Sequence, residues 1–134
     1  MASLNDDEVR ALFEAPNYAV ISTKNPDGSI LSTVVWISLE DGVLAVNSAE
    51  GRQWPANLDR DATVTVLVYP SGNPYEFATV RGQATRATDG DDDAHIDRLA
   101  KHYINQDTYP FRQPGEVRLK FLIEPDRVTY TKQG

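Results

Sequence analysis

The strongest constraint on the fold is a succession of β-branched runs interrupted by turn residues. Three such runs lie near the start of the chain, at 18–24, 29–39 and 43–48. Valine, isoleucine and threonine favour pleated, half-buried strands. The turn NPDG separates the first two runs, since Pro26 presets φ and Gly28 tolerates a positive φ. The turn EDG separates the last two runs. We therefore predict a three-stranded antiparallel meander.

The rest of the chain continues the β character and adds helices. The pattern predicts further strands at 62–70, 75–88, 116–125 and 126–132. Gly82 suits a bulge or bend in the longest of them. Helical spacing follows Asn5, recurs in a short segment with Pro55 as its first residue, and recurs at 96–104. This order favours one mainly β domain over 1–134, folded as a closed or half-closed antiparallel barrel with few helices.

Polar residues mark the predicted helix starts. Asn5 and Glu8 have the spacing of a capping box. The acidic run DGDDD, residues 89–93, precedes the last helical pattern. Aspartates at a helix N-terminus are favoured by the helix dipole, so we interpret this run as capping. Metal binding is the alternative, and we predict no metal site.

Charge and composition exclude several classes of function. Twenty acidic residues against thirteen basic ones give a net charge of −7, which disfavours a nucleic-acid partner. There is no cysteine, so disulfides and thiolate metal sites are excluded. The N-terminus lacks the pattern of a signal peptide, and no apolar run approaches the ~20 residues of a membrane span. We expect a cytoplasmic protein with no membrane partner.

Side chains for acid–base catalysis are sparse. His95 and His102 are seven residues apart on a predicted helix, too far to share one metal, and we interpret both as solvated. The sequence has no nucleophile elbow, Walker loop or complete dinucleotide fingerprint. An enzyme with this sequence would therefore take its chemistry from a cofactor. A non-catalytic binding protein would look the same, so both interpretations stay open.

The segment NSAEGRQWPANLDRD, residues 47–61, is the best candidate for a ligand site. Backbone N–H groups at a turn leading into a helix bind anions, and Arg52 adds a permanently charged, forked donor. A phosphate group suits such a site. The alternative is a helix that only closes the barrel. In that case Arg52 would pair with Asp59 or Asp61, and Trp54 would be an apolar plug.

Three stretches of the chain resemble the split β-barrel flavoprotein superfamily of pyridoxamine-phosphate oxidase, and more closely its coenzyme F420-dependent oxidoreductases. They are 18–48 with its N-x-D-G turn, 51–68 with the pattern R-x-x-x-x-N-L-x-R-D-x-x-V, and 78–87. The resemblance implies a mainly β fold, a six- to seven-stranded antiparallel split β-barrel with two or three peripheral helices. It also implies a homodimer whose cofactor lies in a groove between the two barrels.

The resemblance also implies a cofactor site. Its residues are Ser32, Thr33, Val34, Val35, Trp36, Asn47, Ser48, Arg52, Gln53, Trp54 and Asn57. The ring of the cofactor would lie along 31–36, and Asn47 and Ser48 would reach the ring or the ribityl chain. Arg52 would hold the phosphate, helped by Asn57. The second subunit would close the site, with the loop 108–112 contributing there.

One position departs from the family pattern. Many relatives carry a lysine two residues after the arginine, where this chain has Trp54. The change removes a point charge and adds a flat apolar surface that could stack on a ring. Trp54 is therefore either a core plug or a ligand contact, and the phosphate would depend more strongly on Arg52.

The implied function is an F420H2-dependent reductase that transfers hydride to a small conjugated acceptor. The groove would need cations for the glutamate tail of F420, which Lys24, Arg60 and Arg112 could supply. Tyr69 or Tyr109 could donate a proton. The alternatives are an FMN-binding oxidoreductase of the same fold and a non-catalytic flavin- or tetrapyrrole-binding protein.

Overall fold

The computed structural model describes residues 2–133 and is mainly β. Seven antiparallel strands form a curled half-barrel, and three helices pack around it, which confirms the predicted fold class. The strands are β1 (Ala19–Lys24), β2 (Ile30–Val35), β3 (Ile37–Glu40), β4 (Val43–Ala49), β5 (Thr63–Val68), β6 (Glu76–Arg86) and β7 (Arg118–Lys132). The helices are α1 (Asp7–Glu14), α2 (Gln53–Arg60) and α3 (Asp92–Ile104). The strand order in the sheet is β2-β1-β5-β6-β7-β4-β3.

The predicted meander is correct in its hairpins and wrong in its middle strand. β2 pairs with β1 and β3 pairs with β4, as expected from the two turns. The run 29–39, however, divides at Trp36, and its two halves lie at opposite edges of the sheet. Only Trp36 separates β2 from β3, so the two edges of the sheet must come together there. This geometry curls the sheet into a half-barrel.

The two strands predicted at the end of the chain are one strand, β7. It pairs with β6 along its length, and the register shifts between Arg81 and Gly82, which confirms the predicted bulge. A Cβ at position 82 would collide with the carbonyl oxygen of Glu124. Glycine is therefore required where the two long strands bend together. Pro125 lies within β7 at this bulge, where a missing N–H is tolerated.

The helix starts differ in detail from the prediction. The predicted capping box is wrong, because the N-cap residue of α1 is Asp6 and not Asn5. Within residues 2–133 the Asp6 side chain makes no capping bond to the helix and instead accepts from the Ser3 N–H at 2.9 Å. In α2 Pro55 occupies the third position, where its missing N–H is harmless. The acidic run does precede α3, whose first turn contains Asp92 and Asp93. These carboxylates complement the helix dipole.

Most of the core lies inside the curled sheet. Alternate residues of β1, β5 and β6 point inward and are almost fully buried. Val9, Leu12 and Phe13 of α1 close one side of this core. None of the helices in residues 2–133 has the length and hydropathy of a transmembrane segment.

Candidate functional site

A cavity of about 210 Å³ opens beside the junction of β2 and β3. Eight of the eleven predicted site residues line it: Thr33, Val34, Val35, Trp36, Asn47, Ser48, Arg52 and Trp54. They come from the end of β2, the end of β4 and the start of α2. Six further residues complete the lining: Tyr18, Ile96, Leu99, Tyr109, Phe111 and Arg118. That the eight predicted residues bind a ligand stays a prediction.

Three predicted site residues lie outside this lining. The Ser32 hydroxyl pairs with that of Ser22 at 2.9 Å. The Gln53 amide donates to Asn57 Oδ1 at 2.8 Å. Asn57 is completely buried and donates to Thr23 Oγ1 at 3.0 Å and to Asn25 Oδ1 at 2.9 Å. The two bonds from Asn57 fasten α2 to β1 and to the turn that follows β1.

Arg52 lies at the mouth of the cavity and is exposed. It occupies the N-cap position of α2, so its side chain shares this point with the positive end of the helix dipole. Neither suggested partner holds it, because Asp59 pairs with Arg86 at 2.8 Å and Asp61 accepts from the Thr63 N–H at 3.0 Å. Within residues 2–133, Arg52 forms no ion pair or side-chain hydrogen bond. It is therefore available to an anion.

Trp54 belongs to the core and also borders the cavity. Its side chain is 5% exposed, and its ring centroid lies 6.0 Å from that of Phe121. The two alternatives for this residue are thus compatible, since the indole fills the core while one part of it reaches the cavity wall.

Aromatic side chains pack together at and behind the cavity lining. Trp36 stacks on Tyr103 at 5.4 Å with an interplanar angle of 13°, and Tyr109 meets Trp36 edge-on at 6.1 Å. The Tyr103 hydroxyl accepts from the Ile37 N–H at 3.2 Å and donates to the carbonyl of Asn17 at 2.7 Å. This hydroxyl fixes the backbone where β2 passes into β3. Burial raises the pKa of Tyr103, so the phenol stays protonated.

The loop 108–112 contributes within a single chain. Tyr109 and Phe111 line the cavity, whereas the sequence suggested that the loop acts from a second subunit. The loop is fixed to α3, because the Tyr109 N–H and the Arg112 guanidinium both donate to Asp97, at 2.8 and 3.2 Å.

The suggested cations do not gather around the cavity. Arg60 contacts the backbone of Lys24 near the end of β1, and Arg112 pairs with Asp93 at 3.0 Å. A different cation lines the cavity. It is Arg118, which is 4% exposed and is not among the predicted site residues. A signal was available, because Arg118 and Lys120 are two residues apart and must share one face of a strand.

The prediction that both histidines are solvated is wrong for His95. His95 is 1% exposed, and its ring bonds to Ser38 Oγ at 2.9 Å and to the Asn47 amide at 3.2 Å. Burial lowers its pKa to about 4, despite the opposing charge of Glu40, so the ring is neutral. The helical pattern identified the apolar face of α3. It could not show that His95, beside that face, is buried against the polar side chains of Ser38 and Asn47.

An ion cluster centred on the buried Lys120 lies next to this histidine. Lys120 is 2% exposed and bonds to Glu40 at 2.9 Å and to Asp91 at 2.7 Å. Arg98 donates to both Asp91 oxygens, at 2.6 Å to the oxygen shared with Lys120 and at 2.9 Å to the other, and these contacts lower the pKa of the Asp91 carboxyl. Burial tends to raise the pKa of Glu40, but Lys120 and its other polar neighbours lower it overall. The cluster ties α3 to β3 and β7.

Ser48 is a buried polar residue without a partner. The residue is 1% exposed and lines the cavity, and its hydroxyl has no hydrogen-bond partner within residues 2–133. An unsatisfied buried hydroxyl costs about 1–3 kcal/mol. A ligand atom or water that meets it would recover this free energy.

Within residues 2–133 no group of His, Asp and Glu side chains could hold a metal ion.

Comparison with known proteins gives a family match over almost the whole chain. Residues 5–132 match the family described as Pyridoxamine 5'-phosphate oxidase. No curated protein matches the sequence.

Solved structures share the fold at low sequence identity. An F420 reductase is 24% identical with a TM-score of 0.77, over 90% of this chain and 94% of its own. General Stress Protein 26 from Bacillus anthracis is 18% identical with a TM-score of 0.70, over 93% of this chain and 92% of its own. A heme binding protein from Mycobacterium smegmatis is 17% identical with a TM-score of 0.68, over 93% of this chain and 52% of its own. At these identities the likeness shows the fold alone.

Proposed function

The chain belongs to the pyridoxamine 5'-phosphate oxidase family, and on this premise we propose that it is an F420H2-dependent reductase of a small conjugated acceptor. The observation that carries the proposal is the position of Arg52. Its guanidinium, which has no ion-pair partner among residues 2–133, lies at the mouth of a cavity lined by Thr33–Trp36. A phosphorylated planar ring needs a cation at one end and a flat surface along its length.

The residues present fit the phosphate and the ring of such a group, whereas none of the cations suggested for a glutamate tail lines the described cavity. Arg52, the positive end of α2 and the nearby turn would hold the phosphate. Trp36 and Val34 would contact the ring. The Ser48 hydroxyl has no hydrogen-bond partner among residues 2–133, so a ligand atom could bond to it. When bound, the reduced deazaflavin supplies a hydride. A solved structure of the same fold is an F420 reductase, which makes F420 the first cofactor to test; FMN would use the same phosphate site.

The chain itself supplies orientation, exclusion of water and a proton. Tyr109 lines the cavity and is the candidate proton donor, whereas the alternative Tyr69 lies outside the lining. Tyr109 is held by the ring of Trp36 and by the bond from its backbone N–H to Asp97. An ordered phenol at the cavity wall can protonate an acceptor that has received a hydride.

The cavity of one chain is small for a complete site. Its volume of about 210 Å³ lies below the ~300–1,000 Å³ of typical ligand pockets. Val34 is 64% exposed and Phe111 is 59% exposed at its rim. We therefore propose a homodimer in which a second copy covers these residues and closes the groove.

A non-catalytic tetrapyrrole-binding protein is the second candidate, because one protein of the same fold binds heme. The described cavity lining offers Tyr18 and Tyr109 as axial ligands for a heme iron but no histidine. The ring-and-phosphate site at Arg52 fits a flavin-like cofactor better than a heme.

The test is turnover under anaerobic conditions. The purified protein is mixed with F420H2 and menadione, and oxidation of the cofactor is followed spectroscopically, with reduced FMN in a parallel reaction. We expect protein-dependent oxidation of F420H2. Oxidation of reduced FMN alone would replace F420 by FMN, and tight heme binding without any turnover would favour the second candidate.

A further inference from the structure

Arg118 is a buried cation whose hydrogen-bonding capacity is only partly used. Its Nε donates to Asn47 Oδ1 at 2.9 Å, and its Nη1 pairs with the carboxylate of Glu116. Its guanidinium carbon lies 4.8 Å from the centre of the Tyr109 ring. Arginine has five N–H donors. The Nη2 donors have no partner among residues 2–133, although Arg118 is 4% exposed and lines the cavity.

The surroundings of Arg118 fix its orientation. The Asn47 amide nitrogen donates to the carbonyl of Asp92 at 2.9 Å and to His95 Nδ1 at 3.2 Å. The ring nitrogen must accept this bond, so His95 is neutral with its proton on Nε2. The amide oxygen of Asn47 then faces Arg118. A buried side chain held in this way presents its free donors in a defined direction.

The charge of Arg118 is already balanced. A hydrogen bond from the Gln113 N–H, and then Arg118 itself, lower the pKa of Glu116, so this carboxyl is ionised. Glu116 thus forms an ion pair with Arg118, while Arg52 acts on the same carboxylate only at longer range and has no ion-pair partner among residues 2–133. A second anion beside Arg118 would be repelled by the Glu116 carboxylate. An uncharged oxygen acceptor in the same place would not be repelled.

We infer that Arg118 recognises an uncharged carbonyl oxygen on a conjugated ring bound in the cavity, while Arg52 recognises the anionic end of the ligand. This inference deepens the proposed function and rests on it for the use of this cavity. The carbonyl can belong to the cofactor ring or to the acceptor. Asn47 and His95 act as positioning residues, because they reach the ligand only through Arg118.

The experiment measures dissociation constants for two uncharged ring probes, riboflavin and menadione. Riboflavin carries the ring carbonyls of a flavin without its phosphate, and menadione stands for an acceptor. The variants are Arg118→Lys, which keeps the charge but loses the fork, and the double variant Arg118→Met with Glu116→Gln, which removes both charges. Arg127→Ala, which removes an exposed arginine outside the cavity, is the matched control. Thermal unfolding establishes which variants are folded.

We expect folded Arg118 variants to bind at least one probe about tenfold to hundredfold more weakly, as for a lost hydrogen bond to a charged group. Arg127→Ala should leave both affinities unchanged, since its side chain does not line the cavity. Weakened riboflavin binding assigns the carbonyl to the cofactor ring, and weakened menadione binding assigns it to the acceptor. The carbonyl stretching band of the affected probe should move to lower frequency on binding wild type and less in the variants.

Unchanged affinities in a folded Arg118 variant, or no binding of either probe to wild type, would overturn the inference. The proposed function fails separately. If F420 does not bind but a ring probe does so in an Arg118-dependent way, the inference holds and the cofactor assignment is wrong. If F420H2 is oxidised while all affinities ignore Arg118, the proposed function holds and the inference is wrong.

Discussion

The cavity contains two arginines in contrasting environments, and this contrast defines what it can bind. Arg52 is exposed and unpaired within the described chain, and it lies at a helix N-terminus. Arg118 is buried and neutralised by Glu116. A ligand with one anionic end and one uncharged polar ring would match both residues. A flavin-like cofactor has this character, because it carries a polar ring at one end and a phosphate on its side chain.

Trp54 is buried, and its burial predicts what the lysine implied by the family resemblance would do at this position. Trp54→Lys should lower the free energy of unfolding by at least the ~3–5 kcal/mol typical of Trp→Ala in a core. The reason is that an ammonium would replace an indole that is 5% exposed. Urea unfolding of wild type and Trp54→Lys measures the difference.

Trp54→Phe is the matched control for this substitution. It keeps an aromatic ring next to Phe121 and should lose less stability than Trp54→Lys. Wild-type stability in Trp54→Lys would mean that the side chain at position 54 can reach solvent. The indole would then be a ligand contact and not a core residue.

Among the helices and strands, α3 is the element that joins the cavity to the ion cluster. One side of α3 contributes Ile96 and Leu99 to the cavity lining, and His95 bonds to β3 and β4. Its acidic N-terminus pairs with Lys120 of β7. The acidic run at 89–93 therefore does more than complement the helix dipole.

The buried His95 predicts a pH dependence of stability. Its pKa falls from 6.5 in the unfolded chain to about 4 in the folded one. Between these values the unfolded chain binds the extra proton, so the free energy of unfolding decreases as the pH falls. The loss should approach about 3 kcal/mol near pH 4. Glu40 and Asp91 also have lowered pKa values, but their contribution is lost at more acidic pH.

Urea unfolding of wild type between pH 7 and pH 4.5 measures this slope. His95→Gln should flatten it, because the side chain that binds the extra proton is removed. His102→Gln replaces the exposed histidine of the same helix and should keep the wild-type slope. An identical slope in wild type and His95→Gln would show that the ring of His95 is not held neutral.

Local patterns predicted most elements but not their connections. The turns at Gly28 and Gly42 and the bulge at Gly82 are local features, and all three could be predicted. The division at Trp36 could not, because Val35 and Ile37 are both buried and the period of two continues through the break. What interrupts the strand is Tyr103, which lies 66 residues away from Ile37 along the chain.

The candidate site shows the same limit. Arg52 is indicated by the turn that leads into α2 and residues 33–36 by the family resemblance, and the structure brings them together. Arg118 has no motif, and it joins the site because β7 pairs with β4, where Arg118 lies opposite Ala49. Side chains brought in by long-range strand pairing are not visible in a local pattern.

For the whole molecule, the proposed dimer is testable at the edge of the sheet. β2 is an edge strand, and its outward residues Ile30 and Val34 are 61% and 64% exposed. An apolar edge of this kind associates with another surface. We expect wild type to sediment with twice the 14.9 kDa mass of the chain.

Ile30→Glu should shift this equilibrium toward the monomer, because a carboxylate would be buried in the interface. Tyr75→Glu changes an equally exposed apolar residue outside the strands and should leave the dimer intact. Sedimentation velocity at micromolar concentrations measures both variants. A monomeric wild type, or a dimer insensitive to Ile30→Glu, would remove this edge from the proposal.

The central claim is that Arg52 anchors the phosphate of F420 in this cavity, and a titration of the cofactor tests it most directly. Wild type, Arg52→Ala and the control Arg127→Ala, which removes an exposed arginine outside the cavity, are titrated with F420 and followed by fluorescence. We predict that Arg52→Ala weakens binding by about 1.5–3 kcal/mol while Arg127→Ala has no effect. Equal affinity of all three proteins, or no binding of F420 to wild type, would contradict the claim.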